Sequence, residues 1–506
     1  MAKNKYSDNL RNRAASNSFY TILTSIINKI GAVIFTIIVA RILQPTLFGV
    51  YGLATATVAI FLSFADLGIN ASLIRYSAYA FEKSKRKVAS YFQYLLKIKS
   101  LLIIILSILL IILAKPISEL VFHKAILFWP LILCSLYLIT SSFLDFICSI
   151  FYSLGKVRYV AIREIIAQVG RILIFLLLAF FLLKSFLVID ALLAISLAFL
   201  FAAIFLVFVL FKKYHFLFER TGKLNSAEKR VLFSFIFILA IGGIFGIFNS
   251  SVDTLLLGIF LQDTANIGLY RSALLITSSA VGIIALGNVF LPIFTQLKGI
   301  QLSKSFEKLF NYCIILSFPI AFGIAMISTA IMTLIYGITY SSAAILLSIT
   351  AFTIIPSTLS SIFGLLFFAK GKPLKPTIIV IIATGINTLL NLFLITLLLK
   401  QSEFLATIGA AIAITINSYL SLVFMAMLTK KEFNIKIKKT TFVKVLFSCL
   451  IMVFILFLFS IFFKQISPLN LILEMILGLA TYIGIMLLLK GIKKEDFELI
   501  KRMIKK

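Results

Sequence analysis

Ala40–Ala54 reads ARILQPTLFGVYGLA, with a skeleton of Leu43-Gln44-x-Thr46 followed by Gly49-Val50-Tyr51. The same skeleton returns in the second half of the chain as Leu261-Gln262-x-Thr264, followed after one inserted residue by Gly268-Leu269-Tyr270. Each copy lies between two long apolar runs, so each reads as a tight connection between two membrane helices. The echo continues outward. Leu67-Gly68, in the run after the first copy, matches Leu286-Gly287 after the second, and Gly155-Lys156 matches Gly371-Lys372 in later polar breaks. Matches that keep one order point to an internal duplication. Two duplicated halves facing one another are a standard way to build a transporter with a central site.

Composition sets the class. Of 506 residues, 61% are hydrophobic and 13% charged, where a soluble domain keeps about a quarter charged. With a mean hydropathy of +1.13 the chain is a polytopic membrane protein. No cleavable signal is expected, because the first apolar run is long, carries Lys29 in its middle and lacks a small-residue cleavage site. A net charge of +30 would suit nucleic acid, but the basic residues sit in short breaks between apolar runs, where they orient helices and meet anionic headgroups. No nucleic-acid partner is expected. Cys134, Cys148, Cys313 and Cys449 all fall inside apolar runs without metal-like spacing, so they read as packing residues and imply no disulfide framework.

At roughly 20 apolar residues per span, the sequence predicts an all-α membrane protein of about fourteen helices. The expected spans lie near 17–40, 49–74, 91–114, 126–150, 161–183 and 187–211 in the first half. Those near 231–260, 266–297, 309–335, 341–369, 376–399 and 406–429 repeat the pattern, and 442–463 and 468–490 follow. The domain reading is therefore 1–211 for a first lobe, 212–230 for a cytoplasmic linker, 231–429 for a second lobe, and 430–506 for two further helices and a basic tail. Most of the 48 Lys and Arg residues crowd the breaks on the N-terminal side; the opposite breaks hold only Arg41, Lys115, Lys124, Lys184, Lys400 and Lys464. Positive charge stays cytoplasmic, which puts both termini in the cytoplasm of a multi-pass protein. The basic pieces at 1–16, 81–90 and 491–506 are expected to lie along the membrane surface.

Enzymatic constellations are poor. The two histidines, His123 and His215, fall in polar breaks, no phosphate-cradling Gly-rich loop is present, and no external loop is long enough for a glycosyltransferase or ligase. The chain reads as a non-enzyme without a cofactor, driven by an ion gradient or the membrane potential. What remains is a set of intramembrane charges, each costing roughly 2.5–3.5 kcal/mol at a span centre and therefore expected to face a polar cavity. Lys29 shares a helical face with Thr21, Ser25 and Asn28; Asn249 and Asp253 form a related stripe in the seventh span; Arg171 and Arg271 lie in the fifth and eighth. Ion-paired packing, for instance Arg271 with Asp253, is the competing reading. Lys97 and Lys99 are expected to snorkel from the third span.

The motifs Ala40-Arg41-Ile42-Leu43 with Phe48-Gly49-x-Tyr51, then Asp66-Leu67-Gly68 with Arg75, then Gly155-Lys156, resemble the polysaccharide-exporter branch of the multidrug/oligosaccharidyl-lipid/polysaccharide (MOP) superfamily. The likeness is greatest to flippases for undecaprenyl-diphosphate-linked O-antigen and capsule repeat units. The resemblance implies two pseudo-symmetric six-helix lobes in a V, a central cavity open alternately to either face, two extra C-terminal helices, and a bacterial cytoplasmic-membrane location. Its family-motif residues are Arg41, Gly49, Tyr51, Gly68 and Arg75. Drug exporters of the superfamily usually have twelve helices. Lipid II flippases have fourteen, with a cavity arginine at the position of Lys29 and a second where this chain has Phe35. On this reading Lys29, then Arg171 and Arg271, contact the diphosphate, and Thr21, Ser25, Asn28 and Asn249 line the cavity. Asp253 and Asp66 are candidates for coupling to protons or sodium. The expected partners are the lipid-linked oligosaccharide, membrane lipids, and a polysaccharide polymerase with its chain-length machinery. A lipid II flippase, a drug or cation antiporter, and a membrane enzyme on lipid-linked sugars remain as alternatives.

Overall fold

The computed structural model describes residues 2–81, 84–182, 186–219, 222, 224–284, 294–433, 439–463 and 466–491. Among the described residues every regular element is helical. The Leu286-Gly287 echo and the basic tail beyond Gly491 lie outside them. Contacts divide the chain into two compact units, Met1–Gly268 and Leu269–Lys506.

The first unit opens with α1 (Ala2–Asp66), broken at Gln44, whose φ of 57° and ψ of 169° leave the helical region. The break has a local cause: Pro45 disfavours a helical conformation in the residue before it and has no amide to donate. Gln44 Nε2 donates to the Arg41 carbonyl at 2.7 Å, satisfying an acceptor freed at the bend. After the turn at Leu67-Gly68 come α2 (Ile69–Phe81), α3 (Lys85–Pro116), α4 (Phe128–Ser153), α5 (Val157–Leu177), α6 (Leu187–Lys213) and α7 (Ser226–Phe260). α8 (Thr264–Ile284) begins at the end of this unit. α7 packs on α1 and α2 and so falls in the first unit, although the repeat pattern groups it with the second lobe.

Among the described residues, eleven stretches are long and apolar enough to cross a membrane. One of them, Phe19–Phe81, carries two of the expected spans, folded at Gln44, and α5 and α8 complete the fourteen read from sequence. α5 is less apolar than its neighbours α4 and α6 because Arg163, Glu164 and Arg171 lie within it.

The two signature copies touch. A Cβ on Gly49 would overlap the Thr264 carbonyl, and one on Gly268 would overlap that of Pro45. Each added Cβ would also lie 3.0 Å from the other glycine's amide nitrogen. Thr264 Oγ1 donates to the Thr46 carbonyl at 3.0 Å. Glycine stands at both positions because the backbones meet there and leave no room for a side chain. Beside this contact, buried Lys124 donates from Nζ to the Gly258 and Leu261 carbonyls, at 2.8 and 2.6 Å. These are end carbonyls of α7, where a cation also suits the helix dipole.

The second unit continues α8 and adds α9 (Gly299–Met326), α10 (Ser328–Tyr336), α11 (Ala343–Ala351), α12 (Ile354–Ala369), α13 (Leu374–Leu399) and α14 (Glu403–Phe433). α15 (Lys439–Phe462) and α16 (Pro468–Leu488) follow. Phe306, Phe310 and Phe363 form its aromatic centre, with ring centroids 5.4 to 5.9 Å apart. Val445, Cys449, Met452, Tyr482 and Met486 join the same core, so the last two helices pack on this unit. Tyr482 Oη donates to the Ile315 carbonyl at 2.8 Å and ties α16 to α9.

The Gly155-Lys156 and Gly371-Lys372 echo carries the same hydrogen bonds in both copies. In the first unit α4 ends with Gly155 N–H donating to the Tyr152 carbonyl and Lys156 N–H to that of Phe151, with Gly155 at φ 65°. In the second unit α12 ends with Gly371 N–H to Phe368 and Lys372 N–H to Phe367, with Gly371 at φ 68°. Both are left-handed glycine caps of one type.

Candidate functional site

The candidate site lies inside the first unit, where α1 and α5 face one another. Glu164, Gln168, Arg171 and Phe175 recur at helical spacing on one face of α5, and all four are buried. Opposite them stand Asn28, Gly31 and Phe35 of α1. Asn28 Nδ2 donates to Glu164 Oε1 at 2.6 Å, as does Gln168 Nε2 at 2.6 Å. Arg163 Nη1 approaches Glu164 Oε2 at 2.7 Å. Three donors on one carboxylate is an arrangement that supports its charge inside a membrane protein.

One turn further the pattern changes. The Arg171 guanidinium lies over the Phe35 ring, 4.7 Å from its centroid, and Phe35 meets Phe175 edge to face at 5.9 Å. Arg171 is only 8% exposed, yet its Nε and Nη2 have no hydrogen-bond partner. Glu164, Tyr51 and Tyr137 are within electrostatic reach of it, but none accepts from those two atoms. Stacking on an aromatic face contributes about 0.5–2 kcal/mol, short of the several kcal/mol that desolvating a cation costs. Arg171 is therefore a buried cation whose donors await an anion or another acceptor.

A second set of charges adjoins this ladder. Lys99 Nζ donates to the Ala65 carbonyl at 2.9 Å and lies 3.4 Å from Asp66 Oδ1. Arg163 reaches Asp145 at 3.7 Å and donates from Nε to Cys148 Sγ at 3.0 Å. Asp145 interacts electrostatically with Lys99, Asp66, Arg163 and Glu164, so the charges form one network across α1, α3, α4 and α5. Lys99 is 1% exposed and corrects the snorkelling expected of it. The Asp66 carboxylate and the Ala65 carbonyl, at the end of α1, give it an internal partner that a lone span cannot show. Lys97, two residues earlier, is exposed.

The remaining sequence candidates divide by unit. Lys29 is half-buried beside Asn28 and is itself engaged in an interaction; Thr21 Oγ1 donates to the Asn17 carbonyl at 2.8 Å, and Ser25 is half-buried. Asp253 is buried and Asn249 half-buried on α7, both engaged. Arg271 belongs to the second unit and is likewise engaged. Of the family-motif residues, Gly49 and Tyr51 are buried and Arg41 is exposed. Gly68 forms the turn before α2, and exposed Arg75 lies 4.5 Å from the Phe235 ring centroid. Sequence reasoning passed over Glu164 and Gln168. The signal was present: three polar residues at positions i, i+4 and i+7 of a membrane span mark one buried face.

The description "Polysaccharide biosynthesis protein" belongs to the family model that matches residues 14–298, more than half of the chain. The chain belongs to that family. A second family model, "Lipid II flippase MurJ", matches residues 245–478. No curated protein matches in sequence. Among solved structures, the lipid II flippase MurJ in an inward closed conformation covers 92% of this chain and 97% of its own, at 17% identity and a TM-score of 0.68. An inward-facing multidrug resistance transporter of the MATE family covers 82% and 95%, at 12% identity and a TM-score of 0.55. A Vibrio cholerae MATE transporter covers 83% and 99%, at 13% identity and a TM-score of 0.55. These likenesses show the fold. The protein is a multi-pass membrane protein of the polysaccharide biosynthesis family, with a fold like that of MurJ and of the MATE transporters.

Proposed function

We propose that the protein flips undecaprenyl-diphosphate-linked oligosaccharide repeat units across the bacterial cytoplasmic membrane by alternating access. The observation that carries this reading is Arg171: a guanidinium 8% exposed, seated on Phe35, with Nε and Nη2 unpartnered. A diphosphate head cannot enter hydrocarbon unaided, and a site with fixed cations replaces part of its hydration while the prenyl chain stays in lipid. Lys29 and Arg271 serve as further diphosphate contacts, and Thr21, Ser25, Asn28 and Asn249 as polar lining. Asp253 and Asp66 are the coupling carboxylates for protons or sodium. Both termini face the cytoplasm, and a polysaccharide polymerase with its chain-length machinery is the protein partner that takes up the flipped product.

The test is complementation of surface polysaccharide in a flippase-deficient strain, with membrane levels measured alongside. Arg171→Ala and Lys29→Ala are expected to reach the membrane and to lower surface polysaccharide at least tenfold. Lys29→Glu should be worse than alanine, because like charges repel in a site of reduced dielectric. Full activity of the Arg171 and Lys29 variants at wild-type levels refutes the diphosphate reading. A second reading, lipid II as cargo, is favoured by the match of the MurJ model to residues 245–478. Rescue of a strain depleted of its lipid II flippase, without rescue of surface polysaccharide, would select it.

A further inference from the structure

Buried polar atoms in proteins nearly always find a partner, so those that do not mark places where something is missing. In the first unit three such atoms belong to neighbouring side chains on one face of α5: Arg171 Nε, Arg171 Nη2 and Gln168 Oε1. Nε and Nη2 are the side-on pair of a guanidinium, two parallel N–H groups that fit two oxygens of one phosphate or carboxylate. Gln168 Oε1 is the opposite kind of atom, an acceptor. Its own amide group is spent on Glu164 at 2.6 Å, which fixes the orientation of the side chain. An oxyanion alone satisfies the fork and leaves Gln168 facing more negative charge. A lone hydroxyl satisfies Gln168 and half of the fork. A ligand that carries an oxyanion with an O–H or N–H donor on the adjoining group satisfies all three.

We propose that Gln168 and Arg171 form one two-part subsite, in which Arg171 holds a phosphate of the carrier lipid and Gln168 accepts from a hydroxyl or acetamido N–H of the sugar next to it. This rests on the reading of Arg171 as a phosphate contact. Gln168 is then a specificity-determining residue, since it separates cargo with a donor near the phosphate from cargo without one. The subsite is covered in this structure. Phe35 lies against the guanidinium, and a Cβ on Gly31 would fall 2.6 Å from Gln168 Oε1. Loading therefore requires α1 to draw away from α5 along the Gly31–Phe35 stretch.

The experiment measures binding to the full-length protein in detergent by native mass spectrometry. Three probes are used: a short prenyl diphosphate, the same diphosphate bearing N-acetylglucosamine, and a form whose sugar is fully methylated and has no donor. Wild type should bind the N-acetylglucosamine probe about tenfold tighter than the sugar-free one, the worth of one buried hydrogen bond. The methylated probe should lose that advantage. Gln168→Met, which keeps volume but removes the acceptor, should bring the preference close to one. Arg171→Met should weaken all three probes together. If Gln168→Met keeps the tenfold preference, the role of Gln168 is overturned while the phosphate reading stands. If Arg171→Met binds the sugar-free probe as wild type does, both readings fall. Should Gln168→Met not fold, the methylated probe on wild type still decides: binding as tight as that of the N-acetylglucosamine probe overturns the proposal.

Discussion

The faces of α5 and α13 hold corresponding positions in the two halves and carry different chemistry. In the register set by the matched caps at Gly155 and Gly371, Gln168, Arg171 and Phe175 correspond to Thr384, Asn387 and Asn391. All six are buried. The first face carries a charged ladder, with Glu164 bound by three donors and Arg171 left with open ones. The second carries neutral groups, with Asn391 Nδ2 donating to the Asn387 carbonyl at 2.9 Å and to Asn387 Oδ1 at 3.1 Å. The two faces share their backbone caps and differ in their buried side chains. A charge inside a membrane protein is retained at a cost, so the charged face of α5 is the one of the two that points to a function.

The largest expected effect tests what the halves share. Gly49→Val and Gly268→Val each force a side chain into the other signature's backbone, and each should cost about 3 kcal/mol or more. Membrane levels should collapse equally for both; survival of either one would break the reciprocity of the contact. Next comes the charged anchor. Glu164→Ala takes the nearest carboxylate from Arg163 and the acceptor from two amide donors and should cost about 3 kcal/mol, whereas Asn391→Ala removes only neutral hydrogen bonds, worth about 1 kcal/mol each. Thermal unfolding in detergent measures both, and equal losses would erase the distinction between the two faces.

Arg171→Met sharpens the comparison in another way. Removing a buried cation that lacks hydrogen-bond partners should leave the unfolding temperature unchanged or raise it, while surface polysaccharide falls. A stability loss as large as that of Glu164→Ala would make Arg171 a structural ion. The smallest effect is expected at the C-terminal pair. Tyr482→Phe deletes one hydrogen bond to the Ile315 carbonyl and should lower stability by about 1 kcal/mol without changing transport.

Much of the fold was legible in the chain. Apolar runs marked the spans, and the two copies of the Leu-Gln-x-Thr and glycine signature marked two of the connections. The candidate site was legible in part. Arg171 stood out as a charge deep in an apolar run, and Asn28 belonged to a polar stripe, but nothing in the order of residues joined Asn28 to Glu164. Lys99 shows the limit most plainly: its position near a span end suggested a cation reaching for water, and the end of α1 supplies Ala65 and Asp66 instead.

By itself the sequence determined that this chain lives in a membrane and is all-helical. Those properties follow from hydrophobicity and helical period, which act on each segment separately. Only the tertiary structure decided that Gly49 meets Thr264 and Gly268, that Glu164 gathers Asn28, Gln168 and Arg163, and that Arg171 rests on Phe35 with donors to spare. Pairing depends on which helix faces which and at what height. That is settled by packing between segments far apart in the chain, where a buried charge either finds its partner or is left waiting for one.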